Sequence, residues 1–232
     1  MATKKNKLGV AASEAYKDIV GQESVLRHLD FYIESFKKSR YIPHLLLIAP
    51  KGCGKTLMAS ALKDNLIQKG ETKPKKGHLV NCSSIKNLEQ FFEQVVMPKL
   101  IDKDVTVFFD ECHMIPSDVQ NALLTVLNPN PEQRNTFSYG EMDWEVDFTR
   151  ISFIFATTEI KKIPITVISR CQRFDLSRVK SLELFNFIKK ITEKEKGLAS
   201  DEALKLIVKI SEGSVRDSLS LLDRALISQE KD

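Results

Sequence analysis

Cysteine is scarce and scattered. Four residues stand alone at 53, 82, 112 and 171, with no C-x-x-C pair among 232 residues. That excludes a disulfide framework and a zinc ribbon, and the adjacent Cys112 and His113 cannot by themselves close a tetrahedral metal site. Each cysteine is expected to be a small buried hydrophobe in a reducing compartment. No apolar run approaches the length of a membrane span, and the opening Met-Ala-Thr-Lys-Lys-Asn-Lys lacks the apolar stretch of a secretory signal. A cytoplasmic protein with no membrane partner is therefore expected. Strong one-sided charge is missing too, since the formal net charge is only +4. The basic clusters at Lys4, Lys5 and Lys7, at Lys37, Lys38 and Arg40, and at Lys73, Lys75 and Lys76 read as solvated loops and helix ends, or as a weak pull toward an anionic partner. No repeat or low-complexity tract is present.

What the chain does have is an alternation of strands and helices. Residues 22–40 place Val25, Leu29, Tyr32, Ile33 and Phe36 on one helical face. His44-Leu45-Leu46-Leu47-Ile48 is an apolar run of the kind found in buried parallel strands. Further strands are expected at 78–81, 105–109 and 151–155, with helices after residue 56, at 88–100 and at 119–127. Strands and helices in this order predict an α/β domain with a parallel sheet covered on both faces. Residues 129–150 interrupt the rhythm, and their alternating second half around Gly140 predicts an inserted β-hairpin. After Leu182 the strand signal stops, and 182–194, 201–210 and 215–227 read as three helices. The expected division is a core domain over 1–177 and a helical domain over 178–232.

Two motifs carry chemistry. In Gly52-Cys53-Gly54-Lys55-Thr56, between a strand and a helix, glycines let backbone N–H groups turn toward phosphate oxygens at a helix N-terminus. Lys55 is expected on the β- and γ-phosphates and the Thr56 hydroxyl on Mg²⁺. Ala49 stands where a further glycine usually opens the motif. Independently, Asp110 and Glu111 end a five-residue apolar strand, where the first acid suits Mg²⁺ and the second can polarise an attacking water. Together they predict binding and hydrolysis of ATP with Mg²⁺. Asp110-Glu111-Cys112-His113 also looks like a helicase D-E-x-H box. The helical segment that follows leaves no room for the second domain such helicases need.

The motif set resembles AAA+ ATPases over nearly the whole chain. The resemblance implies a five-stranded parallel sheet with a small α-helical lid. Asp18-Ile19-Val20-Gly21-Gln22 is similar to the adenine-side box, with Val20 and Gly21 as its binding residues. Thr158 resembles the sensor-1 position, Asn81 the polar switch that restrains the catalytic glutamate, and Arg216 the sensor-2 arginine of the lid. Ser169-Arg170-Cys171 resembles the clamp-loader S-R-C motif, in which Arg170 would act on ATP held by a neighbouring subunit. That implies a homo- or hetero-oligomeric ring.

Two DNA-acting groups compete. Residues 163–171 and 213–225 look like the motor subunit of bacterial clamp loaders, whereas 20–56 and the hairpin at 129–150 look like RuvB, the branch-migration motor of four-way junctions. Neither a collar nor a winged helix fits after residue 227, as expected of a trimmed or compact form. The hairpin tips the reading to a RuvB-type DNA motor acting in replication or recombination, with Phe137, Tyr139, Trp144, Arg134 and Arg150 facing DNA or a partner, or with the aromatics packing the hairpin on its own domain. The alternatives are a clamp-loader ATPase that loads a sliding clamp, and an AAA+ remodeller of protein complexes. Expected partners are DNA, neighbouring AAA+ subunits, and a sliding clamp or junction-binding protein. The compartment is a bacterial cytoplasm or a virus-infected cell.

Overall fold

The structure, a computed structural model, describes residues 16, 19–39, 41–66, 76–100, 104–127, 135–139, 142–146, 150–195 and 197–229. Lys4, Lys5, Lys7, Asp18, Arg40, Lys73, Lys75 and Arg134 lie outside the described residues. The chain divides into two compact units, and each is described by itself.

The larger unit comprises 31–48 and 59–175. Its sheet runs β2 (Lys76–Asn81), β3 (Val105–Asp110), β6 (Ile151–Thr157), β1 (Leu45–Ile48), β7 (Gln172–Asp175), with every neighbouring pair parallel. β6 is buried along its whole length and β3 along all but its last residue, which is why both read as continuous apolar runs. Alternate residues face one core: Val105, Val107 and Phe109 from β3 join Ile151, Phe153 and Phe155 from β6. The Phe109 and Phe155 rings stack 5.3 Å apart, and Phe91 comes within 6.5 Å of Phe109. Phe91 ends the short α3 (Leu88–Phe91), which Asn87 caps by accepting from Gln90 N. The continuous helix expected over 88–100 becomes π-helical from Phe92 to Leu100 around Pro98, which lacks the N–H that α-helical continuation needs. α4 (Ser117–Leu127) supplies Val119, Leu123 and Val126 to the same core.

The fifth strand, β7, lacks the apolar signature of the others. Only Phe174 among its four residues is buried. Pairing with β1 defines it, with Leu45 opposite Gln172 and Ile48 opposite Asp175. The expected hairpin is present: β4 (Asn135–Tyr139) and β5 (Met142–Val146) pair antiparallel with Phe137 opposite Trp144. Its turn and side chains lie outside the described residues. Arg150 lies past it, with Nη2 3.6 Å from a carboxylate oxygen of Asp104.

The smaller unit gathers 1–30, 49–58 and 176–232. It contains α6 (Ser181–Lys194), α7 (Asp201–Ser211) and α8 (Val215–Gln229) around Val179, Leu184, Ile188, Leu204, Ile207, Val208 and Leu222. The expected helices thus form within a residue or two of their predicted ends. Ser200 starts α7 by accepting from Ala203 N at 3.2 Å. Glu212 and Gly213, both at positive φ, end it. The Val179 N–H then donates to Gly213 O at 3.0 Å, and Arg178 Nη1 donates to Glu212 O at 3.0 Å. Among the described residues no helix is long and apolar enough to cross a membrane.

Candidate functional site

The glycine loop at 52–56 follows β1 in the chain and belongs to the smaller unit. Gly52 and Gly54 adopt φ of +80° and +84°, conformations that side-chain-bearing residues rarely take. α2 (Lys55–Leu66) opens at once, and Met58 N donates to Gly54 O at 2.9 Å. The loop therefore presents N–H groups at a helix start, the arrangement that favours an anion. Lys55 is buried, and its ammonium donates to Ala49 O at 3.2 Å. Cys53 is buried, and burial pushes its thiol up while Arg178 and Lys55 pull it down.

Helix α8 touches this loop directly. Val215 N and Arg216 N both donate to Gly52 O, at 3.1 and 3.3 Å. A Cβ on Gly52 would lie 2.0 Å from Ser214 Oγ, so the close approach excludes a side chain there. Arg216 is exposed beside the loop, its Cβ 3.5 Å from where that added carbon would sit. Val20 packs on the core of the helical unit, and Gly21, at φ +71°, abuts Val179 and Glu183. Gln22 is buried and binds Ser177 twice: its Nε2 donates to the carbonyl at 2.7 Å and its Oε1 accepts the N–H at 3.2 Å. Val20, Gly21, Gly52, Cys53, Gly54, Lys55, Thr56 and Arg216 thus all belong to one unit.

The acids belong to the larger unit. Parallel pairing brings the C-terminal ends of β2, β3 and β6 to one edge of the sheet, with Asn81 opposite Asp110. Asp110 Oδ1 accepts from Glu111 N at 3.0 Å. Glu111 then takes φ +52° and ψ +48°, a left-handed conformation that a glutamate adopts at a cost of about 1–2 kcal/mol. Thr158 Oγ1 donates to Glu111 Oε2 at 3.4 Å, a long contact that holds the carboxylate lightly. Asn81 Oδ1 accepts from Ser83 N and Ser83 Oγ, at 3.1 and 2.8 Å, and so caps the following turn. Arg170 folds back on α5 (Ile165–Ile168) and its neighbours: Nη1 donates to Thr166 O at 2.8 Å, and Nε is buried without a partner.

His113, dismissed in the sequence as part of a helicase box, sits beside Glu111 with its side chain only 7% exposed. Its Nδ1 lies 3.0 Å from Thr157 Oγ1 and 3.4 Å from Glu111 Oε2, and its Nε2 lies 3.2 Å from Glu159 Oε1. The signal for it was present only as a histidine two residues after the second acid. Gln22 ends the adenine-side box and Ser214 lies in the 213–225 stretch, but nothing local marks their contacts with Ser177 and Gly52.

Residues 45–181 match the model of the ATPase family associated with various cellular activities (AAA), and 184–230 match that of the DNA polymerase III clamp loader subunit, ATPase lid domain. DNA polymerase III subunit tau of Bacillus subtilis is 28% identical over 234 residues, covering 92% of this chain and 38% of that protein. DNA polymerase III subunit gamma of Buchnera aphidicola from Schizaphis graminum is 27% identical, covering 92% of this chain and 59% of that one. The chain therefore spans roughly four- to six-tenths of these relatives' length. The Thermotoga maritima RuvB Holliday junction branch migration motor superposes with a TM-score of 0.69 at 21% identity, over 91% of this chain and 64% of that one. At that identity the likeness shows the fold. The chain belongs to the AAA family of ATPases. The preference for RuvB over a clamp loader needs correcting, because the lid match and the relatives by sequence both lie with polymerase III subunits. The hairpin misled because insertions between elements vary among proteins that share a core.

Proposed function

We propose that this chain is the ATPase segment of a clamp-loader-type motor, working in an oligomeric ring to place a sliding clamp on DNA during replication. The observation that carries the reading is the lid: residues 184–230 match the clamp loader subunit's lid domain, and Ser169-Arg170-Cys171 agrees with it.

In this reading the backbone of Gly52, Cys53 and Gly54 cradles the phosphates of ATP and Lys55 neutralises their charge. Thr56 and Asp110 are the hard oxygen donors that Mg²⁺ takes, and the ion would offset charge on the β- and γ-phosphates. Glu111 orients a water and accepts its proton as that water attacks the γ-phosphorus. The bond to the β–γ bridging oxygen breaks, and ADP and phosphate leave. Thr158 steadies the Glu111 carboxylate through its hydroxyl. Asn81 acts as the switch that frees or restrains this glutamate. Val20 and Gly21 line the base side. Arg216 reports nucleotide to the lid through the helix that already holds Gly52. Arg170, folded on its own helix, serves a neighbour's ATP, so turnover depends on assembly.

The test is ATP turnover by the assembled protein with a sliding clamp and primer-template DNA, against a four-way junction. Stimulation by clamp plus primed DNA, with no branch migration, is expected. Stimulation by the junction alone would return the RuvB-type reading, and stimulation by a protein without DNA would favour a remodeller.

A further inference from the structure

We propose that His113 is a positioning residue for hydrolysis, clamping both neighbours of Thr158 to the turn that carries Glu111. The inference rests on the reading that Glu111 drives ATP hydrolysis.

The geometry has three parts. First, His113 sits in the 3₁₀ turn Cys112–Met114, for which Glu111 is the N-cap, so its ring moves with the backbone of that residue. Second, its two nitrogens point opposite ways, each to a residue of one short segment: Nδ1 is 3.0 Å from Thr157 Oγ1 and Nε2 is 3.2 Å from Glu159 Oε1. Thr157 Oγ1 also accepts from Glu159 N at 2.9 Å, so the segment closes on itself around the ring. Third, the residue between these anchors is Thr158, whose hydroxyl donates to Glu111.

A ring that only filled space would need no polar partner on either side. Here a side chain 7% exposed has a partner at each nitrogen. Imidazole supplies two hydrogen-bonding atoms on a rigid ring, which no other side chain offers at this spacing. Thr158 touches Glu111 through one bond of 3.4 Å, too long to fix the pair by itself. Pairing of β3 with β6 brings the two segments together, and His113 is the side-chain link that then fixes Thr157 and Glu159 to the turn of Glu111. Two groups that must address one water lose about a hundredfold in rate when misplaced by about 1 Å.

Glu159 is the outer end of this arrangement. Its carboxylate is 47% exposed and also pairs with Lys162 at 2.8 Å. The clamp thus runs from a surface carboxylate, through a buried ring, to the catalytic glutamate.

The experiment measures ATP turnover in the assembled protein, binding of a fluorescent ATP analogue, and thermal melting for wild type, Glu111→Gln, His113→Ala, His113→Asn and His113→Gln. His113→Ala is expected to lower kcat about 10- to 100-fold while KM and analogue affinity stay within about threefold. The Asn variant retains a group near Thr157 and the Gln variant one near Glu159, so each should recover part of kcat. Wild-type kcat in His113→Ala overturns the proposal, as does a loss carried by affinity, or a loss that follows melting temperature across the variants. Should His113→Ala fail to fold, Asn and Gln decide: reduced kcat at wild-type melting temperature supports the clamp, and unchanged kcat in both refutes it. Turnover that survives Glu111→Gln would remove the hydrolytic reading, and the positioning role with it.

Discussion

The carbonyl oxygen of Gly52 accepts the backbone N–H of Val215 at 3.1 Å, so the phosphate loop and the first turn of the last helix are bonded through main-chain atoms. A main-chain bond cannot be removed by changing a side chain, but it can be displaced by adding one.

Gly52→Ala adds a Cβ 2.0 Å from Ser214 Oγ at a φ of +80°. The substitution should destabilise the protein by about 1–3 kcal/mol through backbone strain alone. It should also weaken ATP binding at least about tenfold, since the loop must shift. Gly54→Ala meets nothing within 4 Å and carries only the strain of φ +84°, so its effect on stability should be smaller. Thermal melts and nucleotide titration of both variants check the order, and equal effects would contradict the contact with Ser214.

Lys55 and Glu111 should separate binding from chemistry. Lys55→Ala removes a buried ammonium from the loop and should weaken ATP binding about 10- to 100-fold, the range of a charge-assisted hydrogen bond. Glu111→Gln keeps the shape and should leave binding within about threefold while lowering turnover at least about 100-fold. Isothermal titration and steady-state phosphate release read the two quantities apart.

Arg170→Ala should leave nucleotide affinity intact and reduce turnover about 10³-fold in the assembly. The arginine bonds Thr166 within its own chain, so the melting temperature should move little. Mixing Arg170→Ala subunits with Glu111→Gln subunits tests supply in trans: restored turnover at mixed interfaces is expected, and none would place Arg170 outside the chemistry.

Alkaline stability follows from the thiols. Burial pushes Cys171 up to about 12, and pushes Cys82 and Cys112 above the ordinary thiol range. Above about pH 9 the unfolded chain releases these protons while the native state keeps them, so the unfolded state binds fewer protons and stability falls as pH rises. The contribution is fully present below pH 9. Urea unfolding from pH 7 to 10.5 should show this decline, and a Cys82→Ala, Cys112→Ala, Cys171→Ala variant should show a shallower one.

Much of the fold was legible because its signals are local. The runs Leu45–Ile48, Val105–Asp110 and Ile151–Thr157 read as buried strands because both their faces are covered. The helices α6, α7 and α8 carry one apolar face each, and Ser200 caps α7. β7 was not legible from its own residues, because three of its four are exposed and only its neighbour β1 defines it. The π-helical stretch from Phe92 to Leu100 was hidden because its apolar spacing also suits an α-helix. His113 was read as a fragment of another family's box, since its partners Thr157 and Glu159 lie more than forty residues away.

By itself the sequence singled out the candidate groups: a glycine loop with Lys55 and Thr56, an acid pair at a strand end, and a helical segment after residue 181. These are matters of residue type and short spacing, and they need no partner to be read. Tertiary structure alone decided which of them meet. Pairing of β3 with β6 brings Thr158 to Glu111 across 47 positions and gives His113 its two anchors. The close approach of Ser214 and Val215 to Gly52 makes one unit of the phosphate loop and the last helix. Such contacts are set by strand order and backbone approach, which no local pattern encodes.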